Sequence, residues 1–437
     1  MKHSRMQNVP ISDFGFRNGE SRAFVRVLAM WWIISKLAWK NTFRNKRRTL
    51  IAGTAIGIGL AALIFMDALW IGMERNMIAT ATGSFLGEGQ IHREGFRDTQ
   101  EIEVTINQLS DVVSRLEQEE IVAHFTLRTL ALGLISSSAN VSAITLVGVQ
   151  PSTEKHLSQF DDAITQGAYF EGDNARDIVI GHKLAELLEV GVGARVVVTV
   201  AQMGTGDLAQ EMFRVSGIYH FAGDEMGSMA VVRLEKAQQM LGLGDAVHEI
   251  AIKFTDSAYG QDKRLPFWAR YSQHGNEAVG WTRILPQLEA IFKMTAFSRY
   301  IMVVILFGVV VFGIVNTLFM SLYERMFEFG VLRAIGTRPF GMARLILFEA
   351  GALAVLSIAL GIILGLAVTG IFTKIGIDYT GIEFAGVTVQ ELIIPVMNLQ
   401  QYIFYPAWVF VFTLTTGLYP ARYAAKMSPA DAMRRSF

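Results

Sequence analysis

The side chains best suited to a specific task fall in one run, Tyr323-Glu324-Arg325-Met326-Phe327-Glu328-Phe329-Gly330-Val331-Leu332-Arg333-Ala334-Ile335-Gly336. Glu324, Arg325, Glu328 and Arg333 interleave here with Phe327, Phe329, Val331 and Leu332. The run predicts a short helix over 324–335, with Gly336 capping its C-terminus and Pro339 barring propagation. Phe327, Val331 and Leu332 are expected on a face that touches membrane or neighbouring helices, and Glu324, Glu328 and Arg333 are expected to face water. Charge and aromatic rings on one short, rigid element suit insertion into a groove on a soluble partner. The plainer alternative is an interfacial helix that only terminates the apolar run before it.

Bond-making chemistry is sparse by comparison. With no cysteine, disulfides and thiolate metal sites are excluded. The eight histidines are scattered and form no HExxH pair. Between 74 and 298 there is no nucleophile–base motif and no metal-ligand spacing. No GxxxxGK[ST] loop exists to cradle ATP phosphates, so the chain is expected to be no enzyme and to leave ATP hydrolysis to a partner. No bound metal or organic cofactor is expected. Zero net charge gives no nucleic-acid signal.

The elements that would position these residues come from the apolar pattern. Uncharged runs cover 49–66, 300–323, 350–373 and 392–421, each of about the length that spans a bilayer. Charged residues make up 18% of the chain, below the roughly 25% of soluble domains. The expected fold is a membrane protein of four transmembrane α-helices, with a large mixed α/β extracytoplasmic domain inserted between helices 1 and 2. Its expected segments are a cytoplasmic 1–48 and spans at 49–73, 299–323, 345–373 and 402–421. An outer domain at 74–298, a coupling segment at 324–344, an outer loop at 374–401 and a tail at 422–437 complete it. Trp31 and Trp32, within 27–35, read as an interfacial helix.

Lysine and arginine set the orientation. Arg44, Lys46, Arg47 and Arg48 precede the first span, Arg325, Arg333, Arg338 and Arg344 follow the second, and Arg422, Lys426, Arg434 and Arg435 follow the fourth. The 374–401 segment has only Lys374 against Asp378, Glu383 and Glu391. Both termini and the 324–344 segment are therefore expected in the cytoplasm. Gly53, Gly57 and Ala61 in the first span, and Gly361 and Gly365 in the third, have the four-residue spacing of close helix contacts. Leu60, Ile64, Ile305 and Val309 are candidates to line a substrate cavity, with helix packing or lipid contact as their alternative role. Asp67 is either a polar group of that cavity or an interfacial residue just past a span ending near 66.

The outer block reads as short strands at 121–127, 141–149, 177–180, 195–200, 212–219, 230–233 and 250–254. Helices are expected at 106–119, 182–188 and 234–241. Glu119-Glu120 and the 167–174 stretch are candidate lobe joints, and Gly204-Thr205-Gly206-Asp207 reads as a hairpin tip. Residues 256–286 look irregular. From about Leu285 a helix should run without a breaker into the second span.

The 323–336 run resembles the ExxxEFGxLRAIG segment of FtsX/MacB-type permeases of ABC transporters. Trp39-Lys40-Asn41-Thr42-Phe43-Arg44-Asn45-Lys46-Arg47-Arg48-Thr49 resembles that family's entry to its first span. The end of the chain, from Tyr419-Pro420-Ala421-Arg422 to Met427-Ser428-Pro429-Ala430, is similar to its terminal signature. Gly87-Glu88-Gly89-Gln90-Ile91-His92, Gly148-Val149-Gln150-Pro151 and 178–185 look most like the lipoprotein-releasing LolC/LolE-like permeases. No chaperone-binding hook is assignable. The resemblance implies a type VII ABC permease architecture in a bacterial inner membrane, a permease dimer (homo- or heteromeric) and a cytoplasmic ABC ATPase dimer that uses ATP and Mg. It also implies contact with membrane lipids and a possible periplasmic carrier or adaptor. The coupling helix would comprise Glu324, Arg325, Phe327, Glu328, Phe329, Gly330, Leu332, Arg333 and Gly336. Lipoprotein release is then the expected function. MacB-like efflux and FtsX-like control of a cell-wall hydrolase remain open alternatives.

Overall fold

Among the described residues, four helices are long and apolar enough to cross a membrane by length and composition. In the computed structural model they are α1 (Lys46–Ala81), α2 (Pro286–Glu324), α4 (Pro339–Ile375) and α5 (Gln401–Lys426), with a short α3 (Met326–Ala334) between the second and third. The structure describes residues 36–426 and 428, apart from 42, 45, 171, 173, 222–226, 381, 385, 386 and 389–391. The expected interfacial helix at 27–35 and the end of the terminal signature lie outside the described residues. A short helix over 36–41 precedes α1.

The chain forms two compact units. One comprises the described parts of Met1–Ile71, Ser298–Ile375 and Ile394–Phe437; the other comprises Gly72–Phe297 and Gly376–Ile393. Helices α1 and α2 contribute residues to both.

In the first unit, Ile56, Leu60, Leu63 and Ile64 of α1 pack with Val310, Ile314 and Leu318 of α2, Ala350 and Leu353 of α4, and Val409 of α5. Small residues allow close approach, as their spacing predicts. A Cβ on Gly361 would lie 2.8 Å from Leu60 Cδ2 and 3.0 Å from the Gly57 carbonyl oxygen. The α1 helix outlasts its apolar run. From Ala68 to Ala81 it meets neither proline nor a capping glycine, so it continues past Asp67 and closes in a π-helical turn at Thr82–Leu86. The helix itself therefore does not stop near 66.

The second unit is built on a ten-stranded sheet ordered β10-β1-β9-β2-β3-β8-β5-β7-β4, with β6 bridging β2 and β7. The strands are β1 (Gly89–Arg93), β2 (Val122–Ser136), β3 (Val141–Val149), β4 (Ile164–Gly167), β5 (Asp177–Gly181), β6 (Arg195–Ala201), β7 (Leu208–Tyr219), β8 (Met229–Arg233), β9 (Glu249–Phe254) and β10 (Asn276–Gly280). Six of the seven expected strands match within a few residues. The seventh, 121–127, is the first half of the fifteen-residue β2.

β2 begins just past the expected joint at Glu119-Glu120. Phe125 and Leu127 of β2 pack with Ile250, Ile252 and Phe267, while Ala131 and Ile135 of the same strand pack with Val198, Phe213, Ala230 and Val232. One strand thus serves two cores.

Residues 256–286 are ordered rather than irregular. They form a 3-10 turn (Ser257–Gly260), two short helices (Pro266–Tyr271 and Trp281–Ile284) and the edge strand β10. Their aromatic residues explain it. Phe267 and Trp268 pack on Phe254, Tyr271 packs on Phe267, and Trp268 Nε1 donates to the Asp262 carbonyl at 2.8 Å. The tip between β6 and β7 is the expected hairpin, with Gly204 and Gly206 at positive φ. Helix α2 starts at Pro286 and runs unbroken through the second apolar run, as expected.

Candidate functional site

The α3 helix is delimited by its own sequence. Arg325, at φ −107° and ψ 11°, interrupts the helix between Glu324 and Met326. At the far end Gly336 adopts φ +105°, its N–H bonds the Arg333 carbonyl at 3.1 Å, and the Thr337 N–H bonds that of Leu332 at 3.0 Å. This paired closure needs a left-handed residue, which glycine supplies without strain. Pro339 then opens α4, where its missing N–H costs nothing.

Packing divides the helix into two faces. Met326, Phe329 and Gly330 are buried, Phe329 against Leu322, Met342, Ile346, Ala421 and Ala424. Phe327, Leu332 and Ile335 are exposed, and Phe340 extends the apolar surface. The face that meets neighbouring helices is therefore Met326, Phe329 and Gly330, which leaves Phe327 and Leu332 exposed and Val331 half-buried on the face expected to touch membrane or neighbouring helices. Glu324 and Gly336 are exposed at the two ends.

The charges are engaged locally. Glu328 pairs with Arg44 and, at 3.1 Å, with Arg325 Nε. Partial burial would raise the Glu328 carboxyl, but the two guanidinium groups hold it below the usual range. Arg333 Nη1 donates to the Thr337 carbonyl at 3.3 Å and supports the helix end. Arg325 is buried, pairs with Glu349 of α4, and places its guanidinium 5.1 Å from the Phe329 ring centroid. Glu349 was not singled out by sequence reasoning, and Asn41 and Arg44 were named there only as part of the entry to the first span. Glu349 carried a signal, as a lone carboxylate at the edge of an apolar run.

The candidate cavity residues do not come together. Leu60 and Ile64 are fully buried in helix packing, whereas Ile305 and Val309 are exposed on α2. Asp67 is buried, accepts a hydrogen bond from Gln401 Nε2 at 2.9 Å and lies 3.6 Å from Arg299 Nε. It fastens α1, α2 and α5 to one another within the first unit.

Two families match this chain side by side. The FtsX-like permease C-terminal family matches residues 300–429, and the MacB-like periplasmic core domain matches residues 49–261. The chain belongs to the FtsX/MacB-type ABC transporter permeases. The permease is 23% identical over 426 residues to the lipoprotein-releasing system transmembrane protein LolE of Haemophilus influenzae, covering 91% of this chain and 98% of that protein. It is 25% identical over 303 residues to LolC of Xylella fastidiosa, covering 66% of this chain and 72% of LolC. It is also 22% identical to the pyoverdine export ATP-binding/permease protein PvdT of Pseudomonas syringae, over 91% of this chain and 58% of PvdT. Among solved structures, the periplasmic region of MacB from Actinobacillus actinomycetemcomitans is similar at 14% identity and TM-score 0.33, over 46% of this chain and 92% of that one.

Proposed function

We propose that this permease works with a separate cytoplasmic ATPase, which uses ATP and Mg, and converts its strokes into release of an acylated protein at the periplasmic face of the inner membrane. The observation that carries this reading is the placement of α3. It follows directly on α2, a helix of 39 residues whose opposite end begins in the extramembranous unit. Its exposed Phe327, Leu332 and Ile335 offer a partner an apolar wedge, while its other face is fixed to α4 and α5. Both termini and α3 lie in the cytoplasm on this reading, and a second permease subunit completes the transporter. Amphiphile release is favoured by LolE and LolC relatives that span most of the chain.

The PvdT relatives support a second reading, export of a smaller molecule from the periplasm. Purification of the permease from native membranes, with mass spectrometry of bound proteins and lipids, separates the two. An ATPase together with acylated protein is expected. An ATPase without acylated cargo favours export, and no ATPase contradicts both readings.

A further inference from the structure

Glu349 lies where α4 enters its apolar stretch, and its two oxygens face different partners. Oε1 accepts from Asn41 Nδ2 at 2.8 Å, and Oε2 pairs with Arg325 Nη1. Arg325 continues to Glu328, and Glu328 to Arg44. The contacts close a loop: from the N-terminal segment at Asn41, through α4 and the start of α3, back to the N-terminal segment at Arg44. The Arg325 and Glu349 side chains are only 10% and 12% exposed. All of these residues belong to one unit.

The loop matters because α2 and α3 are not one rod. The helix breaks at Arg325, so a push on α3 can pivot there instead of travelling along α2. We infer that Glu349 is a positioning residue: it keys α3 to α4 and to the N-terminal segment, so that displacement of α3 moves the helix bundle as one body. This deepens the proposed function and rests on α3 being the docking helix. A cavity of about 50 Å³ adjoins the pair, lined by Thr49, Thr317 and Ser321 as well as Asn41, Arg325 and Glu349. It has room for a few waters and polar groups to hold them, so the ion pair can rearrange without full desolvation.

The test uses the full chain in native-membrane preparations, with a spin label on Ile335→Cys, an exposed position in a chain that lacks cysteine. Glu349→Gln is expected to raise label mobility and to lower permease-stimulated ATP turnover about tenfold, within the usual range of coupling between sites. The ATPase should still co-purify. The exchanged pair Arg325→Glu/Glu349→Arg should restore both signals toward wild type. Asn41→Ala, which removes one neutral hydrogen bond, should shift both in the same direction by less, and it carries the test if Glu349→Gln does not accumulate. Unchanged label mobility and turnover in Glu349→Gln, or in Asn41→Ala where that variant stands in, would overturn the proposal, as would an exchanged pair no better than the single change. Failure of the docking reading looks different: wild type binds no ATPase, yet Glu349→Gln still mobilises the label.

Discussion

Two buried arginines mark the contrast between the units of this permease. In the extramembranous unit Arg128 is wholly enclosed. It donates to Glu154 at 2.6 and 3.0 Å and to Glu249 at 2.9 Å, with its guanidinium 4.0 Å from the Phe85 ring centroid. Burial pushes the Glu249 carboxyl up even beside Arg128. In the membrane unit Arg325 also holds two carboxylates, but Glu328 is 40% exposed and a cavity borders Glu349. The first arrangement has no room to change partners and the second does. Apolar surface is open in both units: Leu132, Leu134 and Val141 of the sheet are exposed, and so are Ile305, Val309 and Phe312 of α2, which lipid or another subunit must cover.

Replacing each arginine puts that contrast at risk. Arg128→Met leaves two buried carboxylates without a counter-charge and should cost about 3–5 kcal/mol. Thermal unfolding of the full chain measures it. Arg325→Met should cost clearly less, because water reaches its partners; equal losses would refute the distinction between a fixed and a movable pair.

The next largest effect is expected from pH, in the sheet. His92 is fully buried, and burial, followed by the nearby Arg97 charge, lowers it from 6.5 to about 4. The unfolded chain therefore binds a proton that the folded one refuses between these values. Stability is complete above pH 6.5 and erodes as pH falls toward 4, by up to about 3 kcal/mol. Urea unfolding across this range should show the slope, and His92→Gln should reduce it, leaving the share of His248, which burial also lowers.

Smaller effects test the membrane unit. Gly361→Val drives a side chain into Leu60 and the Gly57 carbonyl and should destabilise by about 1–3 kcal/mol in detergent unfolding. Asp67→Asn keeps an acceptor for Gln401 and should cost under about 1 kcal/mol, while Asp67→Leu strands the Gln401 amide and should cost about 1–3 kcal/mol.

Much of this architecture was legible in the sequence. Apolar run length exposed the spans, and the glycine spacing exposed the Gly57–Gly361 contact, because both depend on near-neighbour pattern. Gly336 and Pro339 marked the end of α3 for the same reason. Strands β1, β4 and β10 were not legible: they are short, and pairing partners far away in the chain make them strands. The Asn41–Glu349 and Arg44–Glu328 contacts span 308 and 284 residues of sequence, a separation that no local pattern records.

The central claim is that α3 and the sheet domain lie on opposite sides of one membrane. Because the chain lacks cysteine, Leu132→Cys and Ile335→Cys, each at an exposed position, can be probed singly with a membrane-impermeant maleimide. Leu132→Cys should label in intact spheroplasts and Ile335→Cys only after permeabilisation. Labelling of both before permeabilisation would contradict the account.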